Sequence, residues 1–246
     1  MNSLTKLVFF LVAALTLSNA YANADYAREK KWADEILPGI VVGDPVYLQR
    51  KSGQQFLTLF TETKAANKAL IIVHGPGLHP DWGLIGLLRT QLADRGFSTL
   101  SVQMPVLAVD AGGAAYRVTF PEAIDRIAIA VDFLHKKNYP KVALVSHSLA
   151  SDIGAAFIRQ HPSKLVAWAS LGMSGVDAYK GFKLPILDLY GEGDLPAVLN
   201  TAGARAADLK SQGSSKQVMV PKADHFLNQH EADASQAIKV FLDAVK

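Results

Sequence analysis

The sequence predicts an α/β domain: a mostly parallel central sheet with helices on both faces and an antiparallel hairpin at its N-terminal edge. Three observations predict it. Residues 69–73 (ALIIV) are continuously apolar, the pattern of a strand buried on both faces of a parallel sheet. After them, short β-rich runs alternate with helical periods long enough to cross over between parallel strands. Before them stand two β-rich runs joined by a short turn, which read as a hairpin. A chain of 246 residues that is 50% hydrophobic can bury one sizeable core.

The first residues read as an export signal. Lys6 is the only charge before Asp25, residues 7–17 (LVFFLVAALTL) are apolar apart from Thr16, and the small residues Ala20, Ala22 and Ala24 follow. This apolar run is shorter than the roughly 20 residues a spanning helix needs. Cleavage is expected after Ala24, with Ala22 as the alternative. Residues 1–24 are therefore set aside as a signal peptide and 25–246 as a single domain, exported to a bacterial periplasm or secreted. No integral membrane span is expected after cleavage.

The mature part starts with a short polar helix over Asp25–Ile36. Ile40–Leu48 and Phe56–Thr61 are the hairpin strands, turning at Lys51-Ser52-Gly53, and Pro45 marks the first as an edge strand. Beyond 69–73, Leu84, Ile85, Leu88 and Leu92 share one helical face that ends at Gly96. Thr99–Met104 is a strand stopped by Pro105, and residues 106–120 are a long loop. Pro121 suits the first turn of a helix carrying Ile124, Ile127, Val131 and Leu134, with Glu122 and Asp125 favouring its N-terminal dipole. Val142–Val145 is a strand and Leu149–Gln160 a helix. Three further strands follow at Leu165–Ser170, Ile186–Tyr190 and Gln217–Val220, the last two separated by a helix around Ala202–Leu209. Ala234, Ile238, Phe241, Leu242 and Val245 define a final amphipathic helix.

Composition excludes several functions. With no cysteine there is no disulfide, thiolate catalysis or Cys-based zinc site, and no lipid-attachment cysteine. The net charge of +3 is spread over scattered residues, which reads as a solvated surface and not a nucleic-acid footprint. Seven histidines lie without His-Glu-x-x-His spacing, so neither a metal nor a cofactor is expected.

The chemistry concentrates at three strand ends. An apolar strand runs into Ser146-His147-Ser148-Leu149-Ala150, and a helix begins at once. A serine hydroxyl is a poor nucleophile until a base takes its proton, and that base is usually a histidine oriented by a carboxylate. Asp194 stands just past the strand Ile186–Tyr190, and His225 just past the strand ending at Val220. Asp188 and Glu192 are rival acids; Asp224 reads as a loop-stabilising residue and His230 as a surface one. Ser-His-Ser-Leu-Ala resembles the Gly-x-Ser-x-Gly nucleophile elbow of the α/β-hydrolase superfamily, with small Ser146 and Ala150 where the family has glycines. The order serine, acid, histidine is also the family's.

That resemblance, which spans about residues 40–246, implies further roles. Ser148, Asp194 and His225 would be nucleophile, acid and base. Leu149 would give one oxyanion-hole N–H. The loop His74-Gly75-Pro76-Gly77-Leu78-His79 resembles the family's His-Gly motif; since Pro76 has no N–H, Gly77, or else Leu78, would give the other. His79, Asp81, Trp82, Tyr116 and Arg117 fall in loops around the pocket. Of these His79, Trp82 and Arg117 are candidates for substrate contact, Arg117 for an anionic group unless it is an ordinary surface arginine. Only residues 172–183 occupy the place where many relatives insert a cap domain, which implies an open cleft suited to a small ester or a polymeric acyl substrate. The expected activity is acyl-enzyme hydrolysis of an ester, thioester or amide, esterase-like first. Pro76 and the altered elbow motivate an alternative, an inactive binding or scaffold protein of the cell envelope. A second alternative is a peptidase.

Overall fold

The computed structural model describes residues 24–64, 66–210 and 212–245. Apart from Ala24, the expected signal peptide lies outside the described residues. Helix α1 (Tyr26–Ile36) starts where the Asp25 carboxylate accepts from the Arg28 N–H at 2.9 Å, satisfying one of the free donors of its first turn. Strands β1 (Asp44–Gln49) and β2 (Gln55–Thr61) form the antiparallel hairpin, with Pro45 on the open edge. The first strand begins later than its apolar run suggests. Ile40 packs instead with Ile36 and Leu37 on Ala33, Leu57 and Leu59, and Gly43, at φ +79°, turns the chain into β1.

The remaining elements are β3 (Lys68–Val73), α2 (Gly83–Asp94), β4 (Ser98–Val102), α3 (Phe120–Lys136), β5 (Lys141–His147), α4 (Leu149–Gln160), β6 (Ala167–Leu171), β7 (Ile186–Gly193), α5 (Pro196–Leu209), β8 (Lys216–Asp224) and α6 (Glu231–Ala244). The loop expected before α3 contains a short 3-10 stretch, Gly113–Thr119. The eight strands form one sheet in the order β1-β2-β4-β3-β5-β6-β7-β8, parallel from β4 onward. Period-two alternation divides β3 between two cores. Ala69, Ile71 and Val73 face α3 and α4, with Ile127, Phe157 and Trp168. Leu70 and Ile72 face α2 and α6, with Leu88, Leu92 and Phe241. Among the described residues no helix is long and apolar enough to cross a membrane.

Two features of this sheet position the site. The chain runs from β3 to β4 on one side and then returns to place β5 on the other side of β3. Open α/β sheets bind ligands outside the carboxyl ends of the strands at such a reversal. Strands β7 and β8 also run further than their apolar cores suggest. A bulge between Gly191 and Gly193 carries the pairing on to Gly193 opposite Asp224. Gly191 is needed there, since a Cβ would overlap the Ala223 carbonyl. The residues that follow these two paired ends are Asp194 and His225.

Candidate active site

Ser148 sits between the last residue of β5 and the first of α4, at φ 59° and ψ −133°. Few non-glycine residues adopt this conformation, and it persists only where the surroundings enforce it. They do so here by close packing. Gly154 lets α4 lie on β5, since a Cβ there would come within 2.9 Å of Leu144 Cδ2 and 3.3 Å of the Trp168 indole. Ser146, at an elbow glycine position, is buried; its hydroxyl lies 3.0 Å from Ser151 Oγ and accepts the Trp168 indole N–H at 2.8 Å. Ala150, at the other, is fully buried.

His225 connects Ser148 to Asp194. Its Nε2 is 2.9 Å from Ser148 Oγ and its Nδ1 2.6 Å from Asp194 Oδ1. The carboxylate can only accept, so Nδ1 carries the proton and Nε2 is free to take the serine's. Burial works against the charged form of Asp194. The His225 hydrogen bond, with the backbone N–H groups of Leu195 at 2.7 Å and Gly191 at 3.2 Å, outweighs it and holds the carboxyl below its usual range.

The rivals lie elsewhere. Asp188 is fully buried beneath α5, where it pairs with Arg205 at 2.9 Å and accepts from the Tyr179 hydroxyl at 2.7 Å and the Gln217 amide at 2.8 Å. Glu192 is exposed and accepts the Lys222 N–H. Asp224 accepts the N–H groups of Phe226 and Asn228 and so shapes the loop that carries His225. His230 pairs with Asp233 at the start of α6.

The loop after β3 lies over Ser148. A Cβ on Gly75 would stand 3.3 Å from Ser148 Cβ. His74 holds this loop. Its Nδ1–H donates to the Gly75 carbonyl at 2.8 Å, and its Nε2 accepts the Met104 N–H at 2.9 Å. Gly77 adopts φ +70° beside the Tyr116 hydroxyl. Leu149 is the first residue of α4, where backbone N–H groups have no acceptor within the helix. His79 accepts the Asp81 N–H and meets Trp32 edge-on, with ring centroids 5.7 Å apart. Trp82 packs on Phe226, the neighbour of His225, at 5.3 Å. Arg117 is exposed, 3.8 Å from Asp152 and over the Phe120 ring.

Two neighbours of His225 were not picked out by sequence. His147 donates Nε2–H to the His225 carbonyl at 2.8 Å, and the two rings lie 4.8 Å apart. Gly172, at φ +63°, leaves the space His225 occupies, since a Cβ would come within 2.8 Å of its Cε1. A histidine before a serine and a glycine after a strand are signals in the chain, but neither states what it faces.

Residues 46–119 match a family model described as protein of unknown function (DUF3530), a span that ends before Ser148, Asp194 and His225. No curated protein matches. The fold has close likenesses among solved structures. Est1E from Butyrivibrio proteoclasticus with bound ferulic acid superposes with a TM-score of 0.67 at 18% identity, over 81% of this chain and 98% of that one. Dienelactone hydrolase from Anabaena variabilis gives 0.65 at 16% identity, over 82% and 98%. XC6422 from Xanthomonas campestris, a serine hydrolase without lid, gives 0.65 at 12% identity, over 83% and 95%.

Proposed function

From the α/β-hydrolase fold of this chain, we propose that it is a serine hydrolase that cleaves an ester, thioester or amide through an acyl-enzyme, with esters first. The observation that carries the reading is Ser148 in a strained elbow, with its Oγ 2.9 Å from a histidine whose other nitrogen is 2.6 Å from a buried carboxylate. Ser148 Oγ attacks the substrate carbonyl and passes its proton to His225 Nε2. Asp194 stabilises the imidazolium. The oxyanion accepts from the N–H groups of Leu149 and Gly77. His225 then protonates the leaving group, and water reverses the sequence to free the acid. Residues 172–185 between β6 and β7 form no cap over the site, in keeping with an open cleft. His79 and Trp82, in the segment between β3 and α2, are the proposed substrate contacts, Trp82 packing on Phe226 next to His225. Residues 1–24 are a signal removed on export to the periplasm or beyond.

The test is a fluorophosphonate probe on the folded mature protein. The probe labels Ser148, and Ser148→Ala abolishes both labelling and ester turnover, a loss on the order of 10⁶-fold in kcat. No labelling of folded wild-type protein would overturn the reading in favour of a binding protein. Turnover of aminoacyl amides in place of esters would move it to a peptidase.

A further inference from the structure

We propose that helix α1, through Trp32, forms the wall of an apolar subsite for the acyl group of the substrate. The inference rests on the hydrolase reading above and adds which part of the substrate goes where. Val106, Leu107 and Tyr116, from the segment after β4, form a small buried cluster apart from the two main cores. Three half-buried side chains close over it: Trp32 from α1, Ala111, and Leu149, the residue after the nucleophile. This apolar face therefore begins beside Ser148.

Its occupant follows from the direction of proton transfer. The leaving group must lie within reach of His225 Nε2, which delivers its proton. His225 and Asp194 follow β8 and β7, on one side of β5 in the sheet. The Trp32 cluster is built on the segment after β4, on the other side of β5. An acyl carbon held at Ser148 with its leaving group toward His225 thus directs its substituent toward Leu149, Ala111 and Trp32. Apolar groups on this face favour an apolar acyl chain.

Trp32 is fixed for this purpose. The Arg28 guanidinium lies 4.4 Å above its ring and also donates to the Leu107 carbonyl at 2.6 Å. Asp25 N–H donates to the Val106 carbonyl at 2.7 Å, and Glu29 accepts the Val106 N–H at 3.2 Å. Helix α1 is thereby joined to the segment that forms the subsite floor. The His79 ring supports the indole edge.

The experiment compares p-nitrophenyl acetate with p-nitrophenyl octanoate, which share a leaving group and differ only in the acyl part. Trp32→Ala lowers the octanoate-to-acetate ratio of kcat/KM about tenfold, and Trp32→Phe largely restores it. Ala111→Trp fills the same face from a half-buried position and lowers the ratio too, so the test stands even if Trp32→Ala loosens α1. A ratio within about twofold of wild type in both Trp32→Ala and Ala111→Trp, with Ser148 still labelled by the probe, overturns the subsite alone. Loss of labelling and of all ester turnover in wild-type protein overturns the hydrolase reading and the subsite with it.

Discussion

Single residues around His225 set how it meets Ser148. Gly172→Ala places a methyl group 2.8 Å from His225 Cε1 at a φ of +63°. Backbone strain of about 1–3 kcal/mol is expected. Displacing the ring lowers kcat by about 100-fold, read from ester hydrolysis beside a thermal unfolding curve; an unchanged kcat would show that the ring has room to yield. Two buried histidines near the site contribute to the pH dependence of stability. Burial holds His74 at about 3, and burial with the nearby His225 holds His147 at about 4, against about 6.5 in an unfolded chain. Between those values the unfolded chain takes up protons that the folded one refuses. Their contribution is therefore complete above about pH 6.5 and is lost as pH falls, by about 1.4 kcal/mol per pH unit for each histidine. Glu29 and Asp188, whose carboxyls burial pushes up, act in the opposite sense, so the comparison must be between variants. Urea unfolding at several pH values should give His74→Gln a pH slope shallower than wild type by about one proton. An equal slope would mean that His74 titrates normally in the fold. Ser148, Asp194 and His225 were legible because order along the chain and strand-end position constrain them together. The partners of His147 and Gly172 were not, since they lie far along the chain.

At the scale of elements, α1 shows how a sequence signal can be correct and incomplete. Its polar character is legible, and the helix forms where that indicates, with the Asp25 cap added by the structure. What the polarity is for lies elsewhere. Glu29 pairs with the fully buried Arg126 of α3 at 2.9 Å, 97 positions away, and Arg126 also pairs with Glu122 and donates to the Gln103 carbonyl at 2.8 Å. Removing one member of a buried pair leaves its partner poorly compensated. Glu29→Ala should cost about 3–5 kcal/mol in urea unfolding. It should also release α1 and with it the Trp32 wall; a cost under about 1 kcal/mol would mean that Glu122 alone satisfies Arg126. Strands β7 and β8 teach a related lesson. Their apolar cores are readable, but the extension that brings Asp194 and His225 side by side depends on the bulge between Gly191 and Gly193, which takes the pairing from Gly191 opposite Val220 to Gly193 opposite Asp224. Cross-strand pairing of this kind is settled by where the second strand lies, which local propensity does not encode.

For the whole molecule, the sheet order decides where the candidate site lies. At the reversal around β3, the loop after β3 and the turn after β5 meet. The export proposal belongs to this scale as well: the protein recovered from the periplasm or medium should begin at Asp25 by N-terminal sequencing, and an unprocessed chain would overturn it. Asp25 has its place in the fold, donating its N–H to Val106 and capping α1. The sequence by itself determined the fold class, the order of the elements and the three residues at the strand ends. These rest on local periodicity, small residues at a tight turn and chain order, all of which are properties of neighbours in sequence. The tertiary structure alone decided that Asp188 answers to Arg205 and not to His225, that His147 and Gly172 border the His225 ring, and that α1 reaches the cluster beside Ser148. Each of these depends on which distant segments share a small buried volume, and hydrogen bonding and close packing fix that only once the sheet has assembled.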